Sequence, residues 1–127
     1  MKKGEAEGYS YNKKEMLIYN SRNIPVGGIT TPDNRIYLSD IYKTEHSAFL
    51  EVTIGHEFIH AYHHMKFGSS TNASYSEYSA YQYSIDFSLK NRNVIDVSNL
   101  NFYRSQQLNF RKDKTGRYDY KNIPGFN

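Results

Sequence analysis

One segment constrains this chain more than any other. Leu50, Ile54, Phe58, Ala61 and Met65 recur at spacings of four, four, three and four. At 3.6 residues per turn these positions fall on one face of a helix. Thr44 or Ser47 suits its N-cap, and Glu45 and Glu51 sit early, where the helix dipole favours an anion. Gly68-Ser69-Ser70 ends it, with Lys66 in the last turn.

The rest of the chain reads as a small α+β domain around that helix. Glu15 to Tyr19 and Arg35 to Ser39 are short strand candidates, separated by turn signals at Pro25, Gly27-Gly28 and Thr31-Pro32-Asp33-Asn34. A second helix is expected from near Ser74, where Ser74-Tyr75-Ser76-Glu77 fits a capping box, to about Asn91-Arg92-Asn93. A third, shorter one follows from about Ser98 to Phe110. With 127 residues, 38% of them hydrophobic, the chain suits one globular domain spanning 1–127. Residues 1–12 and 113–127 are expected to be loosely ordered.

Several classes fall away on composition. There is no cysteine, which excludes a disulfide framework and any thiolate metal site. No apolar run approaches the roughly 18 residues a membrane span requires. Met1-Lys2-Lys3 is followed by Gly4-Glu5-Ala6-Glu7-Gly8 where a signal peptide would need an apolar core. No export signal is read, though export as part of a larger protein is compatible with this. The net charge of +3 is mild and gathers near the two ends, so nucleic acid is an unlikely partner. The 13 tyrosines fit a small core that needs bulk near its surface.

The helix also carries chemistry. His56 and His60 stand four apart, so both imidazoles leave the same face and can meet one zinc ion at roughly 2.0–2.1 Å. Glu57 points about 100° around the helix, which places its carboxylate beside a metal-activated water instead of on the metal. From there it can take the water's proton and later deliver it to a leaving nitrogen.

Thr53 to Tyr62 resembles the extended helix motif of the zincin metallopeptidases, position by position. The resemblance implies a minimal zincin-like fold with one Zn2+ per chain held by His56 and His60. It also implies Glu57 as general base, a peptide or protein substrate, and attack by zinc-bound water. In that family an upstream edge strand pairs with extended substrate; Ile36, Tyr37 and Leu38 occupy the matching place. The metzincin branch requires a histidine where Lys66 stands and a glycine where His63 stands, so that pattern is excluded. The gluzincin branch takes its third ligand from a glutamate on the next helix, and Glu77-Tyr78-Ser79-Ala80 resembles its Glu-x-x-Ala pattern. By that resemblance Glu77 completes the site. Tyr81 stands where the family often has a supporting aspartate.

Other readings stay open beside these. As the fourth residue of a capping box, Glu77 could instead bond back to the Ser74 amide. His64 could line the cleft or serve as an alternative ligand, whereas the ordinary reading makes His63 and His64 partly exposed helix residues and Asp86 an exposed one. Tyr62, Tyr78 and Tyr81 are equal candidates to stabilise an oxyanion. The chain also resembles, in size and element order, the small metallopeptidase domains of bacterial polymorphic (Rhs-type) toxins, which would imply an immunity or inhibitor protein as partner. The alternative from another class is a catalytically inactive zincin-like module that binds protein or nucleic acid.

Overall fold

A computed structural model describes residues 7–43 and 47–126. The fold is α+β, with the strands first and the helices after. β1 (Ser10–Asn12), β2 (Leu17–Tyr19) and β3 (Pro25–Val26) form one antiparallel sheet in the order β1-β2-β3. β4 (Gly28–Thr30) and β5 (Ile36–Leu38) form a second antiparallel pair, with Ile29 opposite Tyr37. Ser39 stitches the two sheets together. Its buried hydroxyl donates to the Val26 carbonyl at 2.6 Å and accepts from the Ile18 amide at 3.0 Å, while its own amide donates to the Gly27 carbonyl. The strand expected at Arg35 to Ser39 is therefore present as β5. Ser10–Asn12, in the part expected to be loose, forms β1.

Three helices follow: α1 (Ser47–Phe67), α2 (Ala73–Lys90) and α3 (Val97–Gln107). α1 stops one residue before Gly68, as its glycine-serine signal predicts, while Thr44 and Glu45 lie outside the described residues. No helix among the described residues is long and apolar enough to cross a membrane.

The cap of α2 differs from the expected one. Asn72, not Ser74, is the N-cap, and its side chain accepts from the Tyr75 amide. Asparagine and serine cap about equally well, so local sequence does not choose between them. Tertiary contact does: the Ser74 hydroxyl is committed to accepting from the Arg111 amide at 2.8 Å. The shift frees Glu77 from any capping role.

The apolar stripe that identifies α1 is not its buried face. Ile54, Phe58 and Met65 are 41%, 47% and 67% exposed, whereas Ala48, Val52, Gly55, Glu57, Ile59 and His63 are buried. The reason lies on α2, whose buried positions Ser76, Ala80, Ser84 and Ser88 recur every four residues. This strip of small side chains lets α1 come close, and α1 answers with Gly55, where a Cβ would overlap the Tyr83 ring. The serines satisfy their own hydroxyls: Ser84 donates to the Ala80 carbonyl and Ser88 to that of Ser84. The bulky stripe of Ile54, Phe58 and Met65 lies off this seam, where it stays exposed.

The core is divided in three. Ile18 and Ile29 pack between the sheets; Ala48, Val52 and Ile95 join the start of α1 to the α2–α3 turn; Ile59 and Ala80 meet Tyr120 and Ile123. That last cluster shows that the segment after α3, expected to be loose over 113–127, is packed. Tyr118, Tyr120 and Ile123 are all buried, and the Tyr120 hydroxyl donates to Asp86 at 2.5 Å. Asp86, expected as an exposed residue, is half-buried and tied to this tail and to Gln82.

Candidate metal centre

The close seam between α1 and α2 brings the polar residues of both helices together. His56 and His60 face α2, and their Nε2 atoms lie 3.2 Å apart. Glu77, one turn into α2, points at the same place: its Oε1 is 3.5 Å from His56 Nε2 and makes a close ion pair with His60 Nε2. Three donors that bind one ion tetrahedrally at roughly 2.0–2.1 Å stand about 3.3 Å from one another. Two of the three separations, 3.2 and 3.5 Å, bracket that value, while the third, the His60–Glu77 ion pair, is shorter. Two imidazole nitrogens and a carboxylate are also a donor set that suits a borderline divalent ion such as zinc. The residues present therefore fit a metal.

Glu57 completes the group. His56, Glu57 and His60 present donor atoms within 4.8 Å of one another. The Glu57 Oε2 stands 3.7 Å from His56 Nε2, close to the imidazole pair but not converging as Glu77 does. Its carboxylate is held by β4, because the Thr30 hydroxyl lies 2.9 Å from Glu57 Oε1 and 3.0 Å from the Glu57 carbonyl. Gly28, on the same strand, makes room: a Cβ there would stand 3.2 Å from Glu57 Cγ and 3.0 Å from the Tyr37 carbonyl. Sequence reading missed both residues, since a threonine and a glycine some thirty positions upstream carry no local signal of such a contact.

The far nitrogens of the two histidines are also engaged. His60 Nδ1 lies 2.7 Å from the Ser76 hydroxyl and His56 Nδ1 lies 3.4 Å from that of Ser84. Serines of the α2 strip thus stand at the Nδ1 atoms of both histidines. Tyr81 packs edge-on against His56 with ring centroids 4.7 Å apart. His63 is buried, not partly exposed. Its Nδ1 is 2.7 Å from the same Ser76 oxygen and its Nε2 is 3.1 Å from the Tyr118 carbonyl. The packed tail covers it, which no helix-periodicity argument could anticipate. His64 is half-buried and takes no part in the convergent group.

Electrostatics follow from this packing. Burial opposes the ionised form of Glu77, but hydrogen bonds and charge from His56 and His60 outweigh it and hold the carboxyl well below its usual range. Burial likewise works against charge on His60, yet Glu77 and Glu57 raise its pKa above the ordinary value. His63 has no anionic partner; burial, with the neighbouring His60 charge, lowers its pKa to about 4. Among the tyrosines, burial and then the charges of Glu77 and Glu57 raise Tyr81. Tyr9, just ahead of β1, is raised by burial and then by Glu57 and Glu77. Tyr62 packs into the Ile59 cluster, and the Tyr78 carbonyl accepts from Gln107 on α3.

Ile36, Tyr37 and Leu38 are not part of the convergent group. They form β5, the partner of the strand that touches Glu57, and Tyr37 and Leu38 line a separate cleft with Tyr11, Lys13, Ile18 and Asp40. An apolar cavity of about 500 Å³ lies on the other side of α1, bounded by Leu50, Ile54, Phe58, Tyr83 and Phe126. Neither hollow includes His56, His60 or Glu77. No family model, no curated protein and no solved structure matches this chain.

Proposed function

We propose that this chain is a zinc-dependent peptidase in which His56, His60 and Glu77 hold one zinc ion and Glu57 serves as general base. The observation that carries the reading is the meeting of Glu77 with both imidazoles, 3.5 Å from His56 Nε2, from a different helix. A histidine pair on a helix face is commonplace. A carboxylate delivered to it by a neighbouring helix, with a second carboxylate alongside, is the arrangement that metal-assisted hydrolysis needs.

Zinc bound there supplies a Lewis acid that polarises a carbonyl and brings the pKa of water toward about 7. The rest falls to the chain's own residues. Glu57, fixed by Thr30, takes a proton from water as its oxygen bonds to the peptide carbonyl carbon. As the carbon–nitrogen bond breaks, Glu57 returns that proton to the leaving amine. Tyr81, packed against His56, carries a phenol that is protonated at neutral pH and can donate to a developing oxyanion.

Zinc per chain after exhaustive dialysis, for wild type and Glu77→Ala together, tests the site. About one zinc in the wild type and a marked loss in the variant is expected; a zinc-free wild type, even after zinc is supplied, overturns the proposal. Hydrolysis of a mixed peptide library should then disappear in Glu57→Gln while zinc is retained. The resemblance to toxin domains adds a sharper expectation. Expression of the wild type in a bacterial cytoplasm should arrest growth and Glu57→Gln should not; equal growth removes the effector reading.

A further inference from the structure

The ring of His60 is gripped at both nitrogens by consecutive residues of α2. Glu77 faces Nε2 and Ser76 faces Nδ1. Ser76 in turn reaches His63, and His63 reaches the Tyr118 carbonyl, so four groups lie in one line from the tail to the metal centre. Each member is donor or acceptor for a stated reason, and the direction of the whole line can be worked out from its fixed end.

The fixed end is the Tyr118 carbonyl, which can only accept. His63 Nε2, 3.1 Å away, must therefore carry a hydrogen. His63 is 1% exposed and has no anionic partner, so it is neutral and carries a single ring proton. Its Nδ1 is then a bare lone pair. The Ser76 hydroxyl, 2.7 Å from that lone pair, donates its one hydrogen there. With its hydrogen committed, the Ser76 oxygen can only accept from His60 Nδ1, also 2.7 Å away. His60 thus keeps a proton on Nδ1, and the Nε2 proton that its ion pair with Glu77 requires is the one a metal would replace. In the reverse direction a proton on His63 Nδ1 would make Ser76 donate to His60 Nδ1. That would leave His60's single hydrogen on Nε2, and a metal replacing it would leave the ring with none.

We infer that Ser76 and His63 are positioning residues that hold a ring proton of His60 on Nδ1, so that Nε2 is the nitrogen presented to a divalent metal. The inference rests on the metal-site reading above and names what that reading lacks, the group that orients the second histidine. His56 is served more simply: Ser84 donates its hydrogen to the Ala80 carbonyl, 3.2 Å away, which leaves its oxygen to accept from His56 Nδ1. Only the His60 arm depends on a residue outside the helix pair, through the tail that covers His63.

Two measurements decide the matter, zinc affinity by chelator competition at fixed pH and the nitrogen–proton correlations of the histidine rings in metal-free protein. Ser76→Ala is the test variant. Ser88→Ala, on the same buried strip but remote from the histidines, is the packing control. The expected result is a roughly ten- to hundred-fold weaker zinc affinity for Ser76→Ala, the size usual for removing a group that orients a metal ligand. Ser88→Ala should match the wild type. In the wild-type spectrum His63 should be a neutral ring with its hydrogen on Nε2, and the His60 Nδ1–H should exchange slowly in wild type and rapidly in Ser76→Ala. A His63 hydrogen on Nδ1 overturns the inference without any variant. Equal zinc affinity for wild type and Ser76→Ala overturns it while leaving the site standing, and a wild type that takes no zinc overturns both.

Discussion

The contact between Thr30 and Glu57 joins sheet to helix, and removing one hydroxyl tests it. Thr30→Val keeps the branched shape that β4 accommodates and deletes only the donor. The Glu57 carbonyl, 3.0 Å from that hydroxyl, belongs to the α1 ladder and keeps its helical partner; the carboxylate, whose side chain is 8% exposed, loses a donor that water cannot freely replace. A hydrogen bond to a charged group contributes about 1.5–3 kcal/mol. A domain of 127 residues loses about 4 °C of Tm per kcal/mol, from an unfolding entropy of about 2.1 cal/mol/K per residue. Thr30→Val should therefore lower Tm by about 6–12 °C in metal-free protein, followed by circular dichroism with chelator present, and Thr30→Ser should restore most of it.

A double-mutant cycle separates the contact from a general effect on β4. Charge-assisted bonds are about twice as strong as neutral ones, so the same substitution in a Glu57→Gln background should cost about half as much. The reasoning is refuted if Thr30→Val melts within 2 °C of wild type, or if its cost is the same with and without the Glu57 charge.

Two further outcomes follow from the packing. Ile59 is fully buried among Ala80, Tyr120 and Ile123, so Ile59→Ala should cost about 3 kcal/mol, or about 12 °C in Tm; a loss under 4 °C would show that the tail is not part of the core. His63 has its folded pKa lowered to about 4 from an ordinary 6.5, so the unfolded chain binds more protons between those values and stability falls as pH drops through that window. The full contribution, about 3 kcal/mol, is present above pH 6.5 and gone near pH 4. Denaturant melts at intervals across pH 4–7 should show a shallower slope for His63→Gln than for wild type, and equal slopes would place the titration elsewhere.

What was legible in the sequence was chemistry at short range. His56 and His60 are spaced by a helix turn, and helical geometry alone brings them to one edge with Glu57 about 100° around. Glu77 needed the additional expectation of a second helix, and the sixteen residues between it and His60 leave room for one tight reversal. The illegible part was set by contacts across the chain. Thr30 and Gly28 act on Glu57 from a strand, and Tyr118 acts on His63 from a tail that Gly116, Pro124 and Gly125 marked as irregular. The apolar stripe of α1 misled for a definite reason. Hydrophobic periodicity finds the face that could be buried by bulky packing, and α1 is buried by close approach of small residues instead.

That choice of seam and the chemistry of the site have one cause. Donors about 3.3 Å apart on two different helices need room for their side chains to meet within the seam. The strip Ser76, Ala80, Ser84, Ser88 supplies that room, and its serines supply hydroxyls where alanine or glycine would supply only space. Two of those hydroxyls meet the two histidines at Nδ1. Capping matters to the same geometry. With Asn72 as N-cap, Ser76 and Glu77 come one turn inside α2, on the side turned to α1, and Glu77 is free of the helix end. A helix capped by Ser74 would instead draw Glu77 back to its own first turn. The helix start and the small-residue strip therefore act together to bring Glu77 to the histidine pair, and the serines of the strip orient the rings it meets.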